Sequence, residues 1–464
     1  MEQACRIVDV SLFFLSVKTR VPLKFGAETL ESAAVARVAV EVEGSSGRRA
    51  KGWGETPLSA PWAWPSQLSV ALRTETMKEV CRYIGRTLVH EAPFGHPMDI
   101  GRLITESILP AIVAEINEKR ADNAMVPHLA GLICTSSFDI AIHDAFGVLN
   151  DRDIYDCYGS EFLNDDLSSR LKPVERSSVV FAGKHISDFL TFPQTMTLRA
   201  WHLVGGKDPV TPAELTGREP SDRYPILLEE WIERDRLECL KIKLRGNDEV
   251  WDYDRIVSVG TVGRQGGVDW LSADFNCTVT EPEYVNAILD RLRDRMPEIY
   301  GSILYVEQPF PYDLERYQID VHSVSARKPL FMDESAHDWR LIRLGRELGW
   351  SGVALKTCKT QTVALLSLCW AKAHGMSVMV QDLTNPMLAQ IPHLRLARHA
   401  GTIMGVETNS MQFYPEASSE EARVHPGMYR RTNGRVDLST LGDTGFGYRV
   451  DEIGRDLPAC EAIS

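Results

Sequence analysis

Three acidic residues end short apolar segments in the second half of the chain, and together they could bind a metal ion. They are Asp274, Glu307 and Asp333. Three carboxylates brought close together repel one another, and at least one would be forced to take up a proton. A hard divalent cation relieves this repulsion, and oxygen ligands with room for water and substrate favour Mg²⁺. The three acids are therefore candidate magnesium ligands.

Lysines end two more of these segments and could move protons. Lys241 and Lys243 are spaced i, i+2, so on a strand both side chains point the same way. Two ammonium groups at close range beside a divalent cation lower each other's pKa, which gives a neutral amine able to act as a base near pH 7. Lys356 ends a segment four units further along. If the segments close into a barrel, a substrate between them meets a lysine on each face.

The apolar segments themselves predict such a barrel. Eight of them alternate with helix-like stretches from about residue 195: TLRAWHLV, CLKIKL, WLSADF, ILYVEQPF, PLFMDES, GVALKTC, SVMVQDL and TIMGVET. Nearly continuous apolar runs are typical of parallel strands buried on both faces. Eight such units over roughly 220 residues predict an α/β fold, a (β/α)8 TIM-type barrel, in which the last helix position is open to replacement. Active sites of such barrels lie at the carboxyl ends of the strands.

The first part of the chain follows a different pattern. Alternation and β-branched residues predict strands over residues 5–56, and residues 66–150 predict helices, with Ser136 and Asp139 spaced as a capping box at a helix start. Strands followed by helices predict a separate α+β capping domain. The predicted divisions are a capping domain at 1–150, a linker or insertion at 151–195, the barrel at 196–415 and a C-terminal segment at 416–464 that returns to the capping domain.

Composition and charge exclude several classes of partner. The chain has 51 basic and 64 acidic residues, a formal net charge of −13, which argues against a nucleic acid or an anionic membrane as partner. Nine cysteines without a CxxC pair suit reduced thiols. The N-terminal sequence has no basic region followed by a cleavage site, and its apolar runs are far shorter than the ~20 residues of a spanning helix. A cytoplasmic location is expected.

Taken in order, these motifs resemble the muconate-lactonising branch of the enolase superfamily, within the mandelate racemase/muconate lactonising enzyme family. The shared series is Lys241-x-Lys243, Asp274-x-Asn276, Glu307-Gln308-Pro309, Asp333-Glu334-Ser335 and Lys356. The likeness covers most of the chain, because Gly52-Trp53-Gly54-Glu55 and the segment AIHDAFGVLNDR resemble the capping domain of that family. Each motif alone is weak, and the series together is specific.

The resemblance implies a role for each of these residues. It implies that Mg²⁺ binds to Asp274, Glu307 and Asp333, and that Asn276 and Glu334 hold these ligands in place. The cofactor expected is therefore Mg²⁺ alone.

The same resemblance assigns the lysines. Lys243 is implied as the acid/base group on one face of the substrate and Lys356 as the group on the other. Lys241 is implied to contact the substrate carboxylate and to stabilise, with the metal, the enediolate that forms when the α-proton leaves.

The residues at the ends of two predicted strands differ from those of two branches of the family that the motifs resemble. The seventh ends Gln381-Asp382-Leu383 and lacks the histidine base of the mandelate racemase branch. The eighth ends Glu407-Thr408-Asn409 and lacks the Asp-x-Asp with which dipeptide epimerases hold an ammonium group. Candidate substrate contacts are Phe25, Trp62 and Trp64 in two capping-domain segments, and His202, Asp382 and Glu407 at strand ends.

The reaction favoured by these residues is racemisation or epimerisation of a small carboxylate by two opposed lysines. Three alternatives remain open: a lyase similar to an acid-sugar dehydratase or an o-succinylbenzoate synthase, a muconate-type cycloisomerase, and a barrel that binds a ligand without catalysis. The oligomeric state is not fixed by the sequence, and a homo-oligomer is one open arrangement.

Overall fold

The computed structural model describes residues 1–25 and 28–463, and it begins with an antiparallel sheet. Strands β1 (Cys5–Phe25), β2 (Glu28–Gly44) and β3 (Arg49–Pro57) pair in sequence, and the short β4 (Phe94–Gly95) joins the start of β1. The strand order is β3-β2-β1-β4. The sheet predicted for the start of the chain is present.

Helices cover this sheet. They are α1 (Ala60–Ala63), α2 (Val70–Glu91), α3 (Pro97–Leu103), α4 (Leu109–Asn117), which a π-helical turn joins to α3, and α5 (His128–Leu149). The helical stretch Asp122–Leu149 is long and apolar enough to cross a membrane, but 83% of its most apolar window is buried inside the protein. That burial is expected of the central helix of a globular core.

Two glycines of β3 explain how closely the sheet packs on α5. A Cβ at Gly52 would lie 2.0 Å from the backbone nitrogen of Ala145, and a Cβ at Gly54 would lie 2.0 Å from the carbonyl oxygen of Ser137. Any side chain at either position would force the strand and the helix apart. The spacing of the Gly52-Trp53-Gly54 motif is thus a packing requirement of the sheet against the helix.

The second part of the chain is an eight-stranded parallel barrel, which confirms the predicted fold. Its strands are β5 (Thr197–Val204), β6 (Cys239–Lys243), β7 (Trp270–Asp274), β8 (Ile303–Glu307), β9 (Leu330–Met332), β10 (Gly352–Leu355), β11 (Ser377–Val380) and β12 (Val406–Glu407). Its helices are α6 (Leu228–Asp235), α7 (Glu249–Gln265), α8 (Pro282–Arg295), α9 (Pro297–Ser302), α10 (His322–Ser325), α11 (Trp339–Leu348), α12 (Gln361–Ala373) and α13 (Gln390–Ala400). The hydrogen-bonded order is β11-β10-β9-β8-β7-β6-β5-β12, so the barrel is closed except between its two end strands.

An apolar layer fills the amino end of the barrel and sets the direction of the polar side chains above it. The layer consists of Trp201, Cys239, Tyr305, Phe331 and Met379, all fully buried. Side chains two residues apart on a strand point to the same face. The interior residues that follow four of these five are therefore Lys241, Glu307, Asp333 and Gln381. The barrel core thus aims these groups at the carboxyl end.

The remaining segments fasten the two parts together. Residues 151–195 run along the outside of the barrel, where the Trp370 indole donates to the carbonyl of Lys172 at 2.9 Å. The last barrel helix is replaced by the short helices α14 (Ser410–Phe413), α15 (Ser419–Val424), α16 (Pro426–Tyr429) and α17 (Val450–Ile453), with β13 (Arg435–Asp437) antiparallel to β5. This terminal segment contacts the first domain, since the Phe446 amide donates to Asp144 of α5 at 2.7 Å.

Candidate active site

The carboxyl ends of the barrel strands form a buried charged cluster, here called the mouth. Its members are Lys241, Lys243, Asp274, Glu307, Asp333, Lys356, Lys359 and Glu407, each at most 6% exposed. Strand register brings the first of them together, because Lys243 pairs with Asp274 and Asp274 pairs with Glu307 on adjacent strands. The acids and lysines singled out in the sequence therefore lie in one cluster.

Lys241 is the centre of one half of the mouth. Its Nζ lies 2.6 Å from Glu307 Oε1, 2.9 Å from Glu407 Oε2 and 3.1 Å from Asp274 Oδ2. Three carboxylates from three strands thus converge on a single cation. The Nε2 of Gln381 donates to the second oxygen of Glu307, and that interaction fixes the orientation of the carboxylate.

These contacts reverse the expected direction of the lysine pKa. Burial alone would lower the pKa of Lys241, but the carboxylates of Glu307, Glu407 and Asp274 outweigh it and raise the pKa well above its usual value. Burial also opposes the charge of Lys356, and Asp333 raises its pKa. For Lys241 this is the opposite of the lowering predicted from a neighbouring ammonium group, because three carboxylates contact its Nζ.

The opposite half of the mouth is built around Asp333. Lys356 Nζ lies 3.1 Å from Asp333 Oδ2 and donates to the carbonyl of Asp382 at 3.0 Å. Lys359 Nζ donates to the carbonyl of Asp333 and lies 3.2 Å from its Oδ1. Lys359 was not singled out in the sequence. Its signal is the spacing from Lys356, because in the 3₁₀ turn Thr357–Lys359 side chains three residues apart lie on the same side.

A tryptophan of the first domain lies against two lysines of the mouth. Trp62 lies on α1, is 5% exposed, and its ring centroid is 5.3 Å from Lys356 Nζ and 5.8 Å from Lys359 Nζ. An aromatic face attracts an ammonium group at this distance. Trp62 is thus the candidate lid residue that the structure brings to the lysines.

Three other candidate contacts are placed differently. Trp64 packs within the first domain, where its carbonyl accepts from Arg73 and its ring lies 6.0 Å from the Arg120 guanidinium. His202 faces away from the barrel interior, with its ring 5.2 Å from that of Trp231. The side chain of Phe25 lies outside the described residues.

Asn409 donates hydrogen bonds to Asp382 and Glu407, the two acids considered as contacts for a cationic substrate. Its backbone amide donates to Asp382 Oδ2 at 2.9 Å, and its side-chain nitrogen donates to Asp382 Oδ1 at 3.1 Å and to Glu407 Oε1 at 2.7 Å. Glu407 also pairs with Lys241. Both carboxylates are therefore engaged by the protein, which leaves them poorly suited to holding a substrate ammonium group.

Comparison with solved structures identifies the architecture. An N-succinyl Arg/Lys racemase from Bacillus cereus superposes with a TM-score of 0.63 at 15% identity, over 98% of this chain and 99% of that one. A dipeptide epimerase from Cytophaga hutchinsonii, solved with Mg and the dipeptide D-Ala-L-Val, gives 0.61 at 18% identity, over 98% and 99%. A mandelate racemase/muconate lactonizing protein from Herpetosiphon aurantiacus gives 0.60 at 16% identity, over 95% and 97%. This chain has their fold.

Similarity at the level of sequence is much weaker. No protein-family model matches the chain, and no curated protein matches it. The shared fold consists of the capping domain and barrel already described, and it was expected from the series of motifs in the sequence.

The mouth supplies carboxylate oxygens, the donor type that a hard divalent cation prefers. In residues 1–25 and 28–463, no group of three or more His, Cys, Asp or Glu side chains has an arrangement that could hold a metal. The reason is that Asp333 turns to Lys356 and Lys359, whereas Asp274 and Glu307 share the Lys241 ammonium. The Lys241 ammonium group lies among the carboxylates of Asp274, Glu307 and Glu407, so these oxygens already surround a positive charge.

Two further groups beside these carboxylates are consistent with a divalent cation in the mouth. Glu334 Oε2 is buried without a hydrogen-bond partner, and burial together with Asp333 and Asp274 raises the pKa of Glu334 to about 7. The backbone amide of Asn276 donates to Asp274 Oδ1 at 2.9 Å, so Asn276 holds this carboxylate through its main chain. An unsatisfied carboxylate oxygen beside other acids is stabilised by a metal ion or by a proton.

Proposed function

We propose that the chain is a Mg²⁺-dependent enzyme of the enolase superfamily that racemises or epimerises a carbon next to a carboxylate. The observation that carries the proposal is the placement of Lys243 and Lys356. They end β6 and directly follow β10, which are four strands apart in the eight-stranded order and so lie on opposite walls of the barrel. Each is buried beside a carboxylate, Asp274 or Asp333.

The residues of the mouth have distinct roles in this proposal. Lys243 or Lys356, in its neutral form, removes the α-proton from one face at its Nζ, and the other lysine, in its charged form, returns a proton to the opposite face. The neutral form requires that the carboxylate beside the lysine, Asp274 or Asp333, be engaged by Mg²⁺ in place of the ammonium group. Lys241 places its positive charge where negative charge develops on the substrate carboxylate. Asp274, Glu307 and Asp333 would hold the Mg²⁺, which when bound supplies a fixed double charge beside that carboxylate. The burial of the mouth and the ring of Trp62 keep water away from the reacting carbon.

Isotope exchange tests the two-base arrangement. Carboxylate libraries are incubated in D₂O with Mg²⁺ and wild-type enzyme, and any substrate that gains deuterium at its α-carbon is then tested with two variants. Lys243→Ala should abolish exchange from one stereoisomer and retain exchange from the other, and Lys356→Ala should show the reverse, because each lysine reaches one face only. Lys372→Ala, which removes a lysine from the outer wall of the barrel, should leave both exchanges intact.

The other results are equally informative. If both variants lose exchange from the same stereoisomer, one lysine is the base and the other a stabilising charge, which is the expectation for a lyase. If neither variant changes exchange, the assignment of chemistry to the mouth is wrong.

A further inference from the structure

The loop Asp333–Ala336, here called the Asp333 loop, is held from two sides by side chains that do not belong to it. It follows the short strand β9 and carries Asp333 and Glu334 into the mouth. A loop that leaves a strand of only three residues has few main-chain contacts of its own to fix it. The position of the Asp333 carboxylate therefore depends on the partners of this loop.

The first partner is Gln308, which directly follows β8. Its Oε1 accepts hydrogen bonds from the amide of Asp333 at 2.8 Å, the amide of Ser335 at 3.3 Å and the hydroxyl of Ser335 at 2.7 Å. Its Nε2 donates to the carbonyl of Phe310 at 2.9 Å, so the side-chain amide cannot rotate without losing contacts on both ends. Gln308 is fully buried. It holds the donor side of the Asp333 loop.

The second partner is Lys359, which lies in the 3₁₀ turn after β10, the neighbour of β9 on the side opposite β8. Its ammonium donates to the carbonyl of Asp333 and to the carbonyl of Ala336 at 3.3 Å, and it lies 3.2 Å from Asp333 Oδ1. These three oxygens match the three protons of an ammonium group. Lys359 is 1% exposed. It holds the acceptor side of the same loop, so the two partners are complementary.

We propose that Gln308 and Lys359 form a two-sided clamp that positions Asp333, and through it Lys356, for catalysis. Gln308 accepts hydrogen bonds from N–H groups of the loop, and Lys359 donates hydrogen bonds to carbonyl groups of the loop. Neither residue can therefore substitute for the other. Lys359 is a positioning residue and does not move a proton, because its three donors are all directed at protein oxygens. The consequence for metal binding rests on the proposed function, whereas the clamp itself does not.

Hydrogen exchange and Mg²⁺ titration of one variant test the clamp and its consequence for metal binding separately. Lys359→Met keeps the length of the side chain and removes the three donors. The amides of the Asp333 loop should exchange at least about tenfold faster, and the Mg²⁺ dissociation constant should rise about 10- to 100-fold, as for other groups that orient metal ligands. Lys372→Met is the matched control, since Lys372 also donates to two carbonyls, those of Phe189 and Ala400, far from the mouth. It should change neither quantity.

Each outcome decides between the proposals. Unchanged exchange of the Asp333 loop in Lys359→Met overturns the clamp. Faster exchange with unchanged Mg²⁺ affinity overturns the positioning role of Lys359 and leaves the proposed function standing. Failure of the wild-type enzyme to bind Mg²⁺ contradicts the proposed function, and the exchange experiment then still tests the clamp.

A second variant tests the contacts of Gln308 with the Asp333 loop, and it replaces Lys359→Met as the test of the clamp if that variant does not fold. Gln308→Met removes the acceptor for the amides of Asp333 and Ser335. These two amides should lose protection, whereas the amide of Ala336, which donates to the carbonyl of Asp333, should lose less. Equal loss across the loop would show general unfolding of the segment and would contradict a clamp with separate donor and acceptor sides.

Discussion

At the scale of single residues, the chemistry of the mouth depends on the pairing of opposite charges that are buried from solvent. Lys241, Glu307 and Glu407 are nearly inaccessible to solvent, so each ion depends on its partners for stabilisation. Removing one member of such a group leaves an uncompensated buried charge. Single substitutions here should therefore alter affinity for ions more sharply than substitutions at exposed pairs.

Glu307→Gln tests this directly. The substitution keeps the shape of the side chain and removes one of the carboxylates proposed to bind Mg²⁺. We expect Mg²⁺ affinity, measured by calorimetric titration, to fall at least about tenfold, or about 1.4 kcal/mol. The free energy of unfolding should change by less than that, because Lys241 keeps Asp274 and Glu407 as partners and residues at this end of a barrel serve function more than stability. Glu298→Gln, at an exposed pair with Arg264, is the control and should leave Mg²⁺ affinity unchanged. Unchanged affinity in Glu307→Gln would remove Glu307 from the proposed ligands.

Three residues to which the sequence assigned no role share one property, and of these Gln308 and Gln381 were named only as parts of motifs. Lys359, Gln308 and Gln381 act on other residues of the mouth through specific hydrogen bonds. Residue type and spacing identify a group that could do chemistry, as they did for Lys243 and Asp274. They do not show which neighbour a long polar side chain will reach, because that depends on strand register and loop path.

At the scale of elements, the strands were more predictable than the helix boundaries. Each apolar segment proposed for the barrel contains a strand, since burial on both faces leaves a continuous apolar run. The capping box at Ser136 and Asp139 is wrong, because α5 begins at His128 and both residues lie in its middle. Both side chains instead bind the segment that follows β10: Ser136 donates to the carbonyl of Thr357 in the 3₁₀ turn, and Asp139 accepts from Thr362 in α12.

A pair of neighbouring serines tests whether α5 supports that turn. Ser136 Oγ donates to the Thr357 carbonyl at 2.7 Å and accepts from Thr56 at 2.8 Å, whereas Ser137 Oγ is buried without a partner. Ser136→Ala should lower the free energy of unfolding by about 1–3 kcal/mol, because the buried Thr56 hydroxyl loses its acceptor and the Thr357 carbonyl keeps only the Thr360 amide as donor. Ser137→Ala removes a hydroxyl that makes no such bond, so it should be neutral or stabilising. Equal losses in chemical denaturation would contradict a specific role for Ser136.

At the scale of the whole molecule, the two parts of the chain are joined by polar contacts between residues far apart in sequence. Arg37 of β2 pairs with Glu55 of β3 and with Glu421 of the C-terminal segment, and Arg455 pairs with Glu421 as well. All of Arg37, Glu55 and Glu421 are buried. Such a network cannot be found from local spacing, because the paired residues Arg37 and Glu421 are separated by 384 positions.

Two buried acids of α5 belong to this junction and are expected to make stability depend on pH. Burial raises the pKa of Asp144 to about 7, against the opposing effect of hydrogen bonds from the amides of Phe446 and Trp53. Burial likewise raises the pKa of Asp139 to about 6, against hydrogen bonds from Thr362. In the unfolded chain both carboxyls titrate near 3.8. Above that pH the folded state therefore binds more protons than the unfolded state.

The sign of the effect follows from that difference. When the folded state holds the extra proton, stability falls as pH rises, by about 1.4 kcal/mol per pH unit for each group. The loss from Asp139 ends near pH 6, and the loss from Asp144 continues to about pH 7. Buried histidines such as His96, whose pKa burial lowers to about 3, contribute a slope of the opposite sign. The informative quantity is therefore the difference between the wild-type protein and a variant in the slope of the free energy of unfolding against pH.

Asp144→Asn and Asp139→Asn should consequently differ in the pH interval over which they act. The free energy of unfolding, measured by denaturant titration from pH 4 to 8, should fall less steeply with pH in both variants than in wild type, because an amide does not titrate. Asp144→Asn should reduce the fall throughout the interval up to about pH 7, whereas Asp139→Asn should reduce it only below about pH 6. Between pH 6 and 7, therefore, only Asp144→Asn should depart from the wild-type slope. Parallel curves for all three proteins would show that these carboxyls titrate alike in the folded and unfolded chain, and that the contacts of α5 with β3 and the C-terminal segment hold Asp144 in its charged form.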